Sequence, residues 1–315
     1  MPIERAVPSV SVIIPTWNAG EAFGELLHRL SQQSVSPHEI IVIDSSSTDG
    51  TAELARRAGA VVLSIAQQEF DHGGARNRAA SVATGDMLVF MTQDALPADD
   101  SLLESLIRPL AAAEVAYAYA RQLPYPDANL LERTARAHNY PGESMVKSQH
   151  DIPRMGIKAF FCSNVCSAMR RETFERMGKF DEPVMFNEDL LFSARCVLNG
   201  GLIAYVADAK VLHSHMFTLK QLYKRFYDNG VSIGTHRWIA VHAQAEKAGS
   251  GLLRSQLQAI WKHRKPWLIA RLVLESVSKY VGYKRGLRRG LSLVTPGQVA
   301  VPNELGGSGS STKTL

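Results

Sequence analysis

Four acidic residues in this 315-residue chain are placed to do chemistry, and one of them stands where folding alone gives a carboxylate little to do. Asp94 lies just beyond the apolar run Met87-Leu-Val-Phe-Met91. A hard divalent cation held by one or two carboxylates and by substrate phosphates needs such a group, so Asp94 is the expected metal ligand. Asp44 directly follows the run Ile40-Ile-Val-Ile43. From there it can accept a hydrogen bond from the ring N–H of uracil or thymine, or it can cap the next turn. Asp49 can do the capping instead, which favours base recognition for Asp44. Glu188 and Asp189 follow Asn187, a good helix N-cap residue, and fall in the first turn of a helix through Leu190, Leu191, Ala194 and Val197. The positive end of the helix dipole favours their ionised, proton-accepting form. Acids are also common at helix N-termini for stability alone, so position leaves both readings open. Cys162 and Cys166 with His213 and His215 can be drawn as a zinc site, but no C-x-x-C pair is present and small buried cysteines are the simpler reading.

These groups need a scaffold, and its pattern is legible. From residue 9 to about 110, short β-rich apolar runs alternate with amphipathic helical stretches, the mark of stacked βαβ units and a mostly parallel sheet. The expected strands are Val10–Ile14, Ile40–Ile43, Val61–Leu63 and Met87–Met91. Phe23, Leu26, Leu27 and Leu30 recur at helical spacing between the first two. Ser101-x-x-Glu104 reads as a capping box opening a helix with Leu103, Leu106, Ile107 and Leu110 on its buried stripe. Prolines 124, 126, 141 and 153 break the stretch 111–160 into an expected irregular region, with a short helix over Leu130–Ala137. A helix over 187–199 stops at Asn199-Gly200-Gly201, a strand spans Leu202–Val206, and Thr218-x-x-Gln221 caps a helix expected to end at Gly230. The loops after parallel strands line the ligand crevice of α/β sheets; here they are Pro15-Thr-Trp-Asn18, Asp44–Gly50 and Thr92-Gln-Asp94.

Several function classes drop out. No G-x-G-x-x-G follows the first strand and no G-x-x-x-x-G-K-[ST] occurs, so neither a dinucleotide redox cofactor nor P-loop chemistry is expected. No apolar run is long enough to span a bilayer and the first residues lack a signal-peptide pattern, which points to a cytoplasmic protein. An odd count of three cysteines fits a reducing compartment. Between Arg254 and Arg289 ten Lys or Arg face one acid, Glu275; with +5 overall and +9 here, the remainder is acidic by four. Interleaved Trp261, Trp267, Leu272, Val273, Val277 and Tyr280 allow that segment to lie on an anionic membrane or to pack as helices with a basic solvent face. No nucleic-acid reading motif accompanies the charge, so nucleic acid is not an expected partner. The stretch Gly306-Gly-Ser-Gly-Ser-Ser is linker-like.

Pro15-Thr-Trp-Asn18, Asp44-Ser-Ser-Ser-Thr-Asp-Gly-Thr51, Gly74-Ala-Arg-Asn77, Phe180-Asp-Glu182 and Asn187-Glu-Asp189, in this order and spacing, resemble the family 2 glycosyltransferases of the GT-A fold over residues 9–230. The resemblance implies an α/β, Rossmann-like domain with a mostly parallel central sheet, residues 1–230. Its nucleotide-sugar half is 9–110 and its acceptor half 111–230, followed by a helical basic extension (231–300) and a flexible tail (301–315). It implies that Asp44 binds the pyrimidine, that Pro15, Thr16, Asn18, Arg76, Asn77 and Gln93 reach the nucleotide or diphosphate, and that Asp94 closes a D-x-D triplet holding Mg²⁺ or Mn²⁺. In this chain the triplet reads Thr92-Gln93-Asp94, without the first acid. One histidine of the His213–His215 pair matches a position that completes metal binding, and His213 is the choice; imidazole suits Mn²⁺ better than Mg²⁺. In inverting members the aspartate of the Glu-Asp pair is the base, which assigns Asp189 to proton abstraction and Glu188 to orienting the acceptor. The Thr-Gln-Asp-Ala stretch, Phe70–Asn77 and His213-Ser-His215 look most like bacterial rhamnosyltransferases using dTDP-L-rhamnose, with a glycan or lipid-linked glycan as acceptor. Gln221-Leu-Tyr-Lys-Arg225-Phe226 departs from the Q-x-x-R-W of processive members, so a non-processive enzyme is expected.

Overall fold

The computed structural model describes residues 8–242 and 250–294; the linker-like stretch at 306–311 lies outside the described residues. The first half alternates as its pattern requires: β1 (Val10–Thr16), α1 (Ala22–Ser31), β2 (Glu39–Asp44), α2 (Thr51–Arg57), β3 (Val61–Ser64), α3 (His72–Val82) and β4 (Met87–Met91). Successive side chains of a strand point to opposite faces. Hence Ile13, Ile41, Ile43 and Phe90 enter one core, and Val12, Ile14, Val42 and Val89 enter the other. The stripe Phe23, Leu26, Leu27 and Leu30 of α1 closes the second core from outside.

The chain continues through β5 (Leu96–Pro97), α4 (Leu102–Ile107), β6 (Val115–Leu123), α5 (Leu130–Asn139), β7 (Met145–Lys147), α6 (Ile152–Met155), β8 (Cys166–Arg170), α7 (Arg171–Arg176), α8 (Glu188–Leu198) and β9 (Leu202–Leu212). The strands form one nine-stranded sheet in the order β3-β2-β1-β4-β8-β6-β9-β5, with β7 also on β9. β1, β2, β3 and β4 are parallel; β8 inserts antiparallel between β4 and β6. β6 and β9 run parallel again. The C-terminal ends of β1, β2 and β4 therefore open on one edge, where ligand crevices of such sheets form.

Four expectations are corrected. The region 111–160 is not simply irregular: it holds β6, a nine-residue interior strand of the sheet between β8 and β9. Ser101 forms no capping box. Its hydroxyl donates to Asp99 (2.8 Å), Glu104 accepts from Ser34 (3.0 Å), and Leu103 N–H donates to the Gln33 side chain (3.1 Å). Asn187 precedes α8 in a left-handed conformation (φ 70°) with no side-chain cap, and Asp189 Oδ1 takes the Leu190 N–H instead (2.8 Å). Gly230 does not end its helix. The capping box of Thr218 and Gln221 is formed as expected, but α9 (Leu219–Thr235) runs on through Gly230.

The reason lies in the C-terminal helices: α10 (Arg237–His242), α11 (Ser250–Lys262) and α12 (Leu268–Leu293). α12 lies alongside α9 in the same direction, with Gly282, Gly286 and Gly290 against the backbone at Tyr223, Tyr227 and Val231. A Cβ on Gly286 would meet the Tyr227 carbonyl oxygen at 2.0 Å, and one on Gly230 the Tyr283 carbonyl oxygen at 2.3 Å. Only hydrogen fits, so glycine here serves close approach rather than termination. α11 packs on α5 through Ile260, Leu131 and Leu272, with Gln256 donating to the Leu131 carbonyl (3.1 Å).

Candidate active site

The strand-end loops are stitched together by their own polar groups. Thr16 Oγ1 donates to Asp44 Oδ1 (3.0 Å), and Ser47 donates to the same carboxylate from its backbone N–H (2.9 Å) and its hydroxyl (2.5 Å). Asn18, with φ 44°, accepts the Thr48 N–H (2.9 Å) and gives its own N–H to Ser47 (2.8 Å). Gln93 clamps the backbone of Trp17 from both sides, accepting its N–H (2.8 Å) and donating to its carbonyl (3.2 Å). Pro15 pairs with Ile43 in the β1–β2 register. Thus Pro15, Thr16, Asn18, Asp44 and Gln93 lie together on one edge. Asp44 is buried and holds the turn after β2, while Oδ2 accepts only one of these bonds and keeps a lone pair.

Asp94 meets two imidazoles there. Its carboxylate lies 3.6 Å from His213 Nε2 and 3.2 Å from His215 Nε2, and the two Nε2 atoms are 3.1 Å apart. One ligand atom from each falls within 4.8 Å of the others. Bonds of about 2.1 Å at right angles place two donors roughly 3 Å apart, so this spacing fits a single cation. Gln122 fixes the tautomer. Its Oε1 already accepts from Arg136, so it is also the acceptor for His213 Nδ1–H (3.0 Å), which leaves the lone pair on His213 Nε2. Burial, opposed by the Asp94 charge, pushes His213 down to about 3, so the ring stays neutral and able to ligate. His215 is lowered as well, chiefly by burial. The structure brings both histidines to Asp94, where sequence singled out His213.

The acid pair of α8 is held by Asn164, a residue sequence reasoning passed over. Its backbone N–H donates to Asp189 Oδ2 (3.0 Å) and its side-chain NH₂ to Glu188 Oε1 (3.1 Å), while its own Oδ1 accepts from Tyr117 and from Ser167 (2.8 Å). Glu188 is buried and ion-paired to Arg76 at 3.1 Å. Burial works to raise its pKa, but Arg76, His72 and the Asn164 amide outweigh it and hold the carboxyl below the usual range. Asp189 goes the other way: burial first, then the Glu188 charge, push it up to about 7. Two adjacent carboxylates thus differ in role, one permanently charged and one ready to exchange a proton near neutrality.

Between the two centres stands Arg225, which, like Gln122 and Asn164, was not among the expected site residues. Its guanidinium stacks over Phe186 (5.0 Å) and Phe217 (5.6 Å), and its charge interacts with Asp189 and Asp94. The signal was present, as the arginine of the imperfect Q-x-x-R-W match. A second connection runs through the backbone: Gln122, which orients His213, donates to Ser163 Oγ (3.0 Å), next to Asn164. Two expected donor contacts have other partners. Arg76 is buried against Glu188 and His72, and Asn77 binds the Phe180 carbonyl, the Phe180 N–H and Glu182. The three cysteines are buried free thiols, and burial raises all three pKa values.

The model of the family described as "Glycosyl transferase family 2" matches residues 11–178. The chain is 39% identical over 287 residues to the O-antigen chain rhamnosyltransferase WbaN of Salmonella anatum, covering 89% of this chain and 90% of that protein. It is 37% identical over 284 residues to the O-antigen chain rhamnosyltransferase RfbN of Salmonella typhimurium, covering 88% and 89%. Among solved structures it resembles the mannosyltransferase PcManGT of Pyrobaculum calidifontis in complex with GDP-Man and Mn²⁺, with a TM-score of 0.56 at 19% identity over 91% of this chain and 85% of that one.

Proposed function

Because the chain belongs to glycosyl transferase family 2 and is a glycosyltransferase of GT-A fold, we propose that it moves L-rhamnose from dTDP-L-rhamnose to a glycan acceptor of O-antigen synthesis, with inversion. The observation that carries the mechanism is the pairing of Asp189, a carboxyl tuned to about 7, with the Asp94–His213–His215 cluster across Arg225. The acceptor hydroxyl gives its proton to Asp189 as its oxygen bonds the anomeric carbon from one face; the bond to the diphosphate breaks on the other, and dTDP leaves with that electron pair. Glu188, held ionised by Arg76, keeps Asp189 basic and helps orient the acceptor. Arg225 offers a guanidinium to the departing phosphates. Asp94, His213 and His215 would hold Mn²⁺ in preference to Mg²⁺, and a bound cation neutralises the leaving diphosphate. Pro15, Thr16, Asn18, Asp44 and Gln93 form the wall for the pyrimidine nucleotide.

The acceptor is read as lipid-linked and the enzyme as peripheral to the cytoplasmic face of the membrane. No helix among the described residues is long and apolar enough to cross a membrane. Support for surface contact comes from α12, where Val273, Leu274, Val277 and Tyr280 are exposed apolar side chains, with Trp267, Arg264 and Arg271 also exposed near its start. The test is a calorimetric titration of dTDP, UDP and GDP, each with and without Mn²⁺, into wild type and Asp94→Ala. Tight Mn²⁺-dependent dTDP binding that Asp94→Ala abolishes is expected. A preference for UDP overturns the donor, and absence of nucleotide binding overturns the mechanism.

A further inference from the structure

The end of β6, α5 and the turn between α11 and α12 line an open cavity of about 820 Å³. That size is typical of small-molecule sites, roughly 300–1,000 Å³. Arg121, Arg133, Arg136, His263 and Lys265 line it, and no Asp or Glu does. Arg136 is neutralised by Glu132 at 2.7 Å. Among the described residues no carboxylate pairs with Arg121, Arg133, His263 or Lys265. Arg121 is oriented by donating to the Tyr140 carbonyl (3.3 Å), and Arg133 donates to the Pro126 carbonyl (3.3 Å). A concave surface with three unneutralised cations and no acid concentrates anions, and guanidinium forks match phosphate oxygens.

The cavity is also placed for the reaction. Gln122 is part of its wall and at the same time orients His213 and donates to Ser163, the neighbour of Asn164 that holds Asp189. A molecule seated on the cations therefore meets a residue that contacts His213 directly and connects to Asp189 through Ser163 and Asn164. The donor's diphosphate is provided for elsewhere, at the Asp94 cluster and Arg225, so a second set of phosphate-binding groups calls for a second phosphorylated molecule. Trp267, two-thirds exposed, stands on the outer wall and immediately precedes α12 with its exposed apolar side chains.

We propose that this cavity is an acceptor subsite for a phosphate or diphosphate ester: the acceptor's glycosyl diphosphate lies on Arg121, Arg133 and Lys265, and its sugar passes Gln122 to reach Asp189. The assignment rests on the reading of the chain as a transferase to a glycan acceptor. The same phosphate chemistry exists in bilayer headgroups, so the test separates the two sources.

The full chain is first saturated with dTDP and Mn²⁺, which fills the donor site, and is then titrated calorimetrically with octyl diphosphate, with octyl glucoside as the uncharged control. Octyl diphosphate binds and octyl glucoside does not. The double variant Arg133→Gln, Lys265→Gln, at two exposed positions whose loss leaves the fold intact, weakens octyl diphosphate at least tenfold, whereas Arg176→Gln on a distant helix does not. No octyl diphosphate binding with dTDP in place, or equal binding by the double variant, overturns the subsite. Sedimentation with phosphatidylglycerol vesicles distinguishes the sources: the subsite requires that the double variant bind vesicles as wild type does. A parallel loss of vesicle binding reassigns these cations to headgroups and overturns it. Failure of dTDP to bind at the outset is a failure of the transferase reading, registered before octyl diphosphate is added.

Discussion

Replacing Asp189 with Asn should abolish transfer yet raise the variant's stability relative to wild type as pH rises from 5 to 8. The folded-state pKa of Asp189 is raised to about 7 from an ordinary 3.8 by burial and by Glu188. A raised acid destabilises the fold wherever it must ionise: the penalty is absent below about pH 4, grows as pH rises, and is complete above about pH 7. At 1.36 kcal/mol per unit, the penalty is roughly 1.7 kcal/mol at pH 5 and roughly 4 at pH 8. Asn also loses one of the two backbone N–H bonds that Asp189 accepts, from Asn164 and Leu190, at a cost of about 1–3 kcal/mol. That loss does not depend on pH, so it cancels when the two conditions are subtracted. The advantage of Asp189→Asn over wild type should therefore grow from pH 5 to pH 8 by at most about 2.5 kcal/mol. Because Asp189 keeps a partly exposed face, about half of that is a fair target, or a few degrees in Tm for a chain of this length. Scanning calorimetry at both pH values reads it. An advantage that is flat with pH, or that shrinks, would refute the account of Asp189 as the strained proton acceptor.

Other outcomes follow from the same geometry. The pH profile of kcat/KM should fall on its acid side near pH 7, and Glu188→Gln should move that limb lower, since the Glu188 charge is, after burial, what raises Asp189; an unmoved limb separates Glu188 from base tuning. His213→Ala and His215→Ala should each weaken Mn²⁺ binding, and Gln122→Ala, which only frees the His213 ring, should still weaken it by about 10-fold or more, read by the Mn²⁺ dependence of dTDP affinity. Arg225→Leu should lower kcat by about 10²–10³ with a smaller effect on KM, and an equal loss in both would place Arg225 in ground-state binding alone.

The nucleotide half was legible because a parallel sheet covered on both faces writes itself as continuous apolar runs: Ile13, Val42 and Phe90 have no face that tolerates anything else. β6 hid because its inward positions alternate tyrosine and alanine, as in Ala116-Tyr117-Ala118-Tyr119, and because prolines follow directly, at 124 and 126. Gly230 looked like a stop since a contact made of backbone leaves no apolar pattern to read. In the site, the strand-end acids were identifiable from what they follow. Asn164 and Gln122 were not, and Arg225 showed only as the arginine of an imperfect motif, because their roles come from bringing together β6, β9, the loop before β8 and α9, a juxtaposition no local window contains. The capping boxes make the same point in small: Thr218 and Gln221 form theirs, while Ser101 and Glu104 are drawn away by Asp99 and Ser34.

The glycine contact between α9 and α12 also limits how such an enzyme can be altered. An interface made of main chain has no rotamers with which to absorb a change, so its two helices cannot be shifted by small steps. α9 carries Arg225, and the α12 arm carries Trp267 and Leu268 of the cavity wall. Leaving-group contacts and acceptor wall are thereby fixed to one another like two jaws on a single handle. New acceptor shapes have to be reached through the side chains that face the cavity, since the handle itself does not bend.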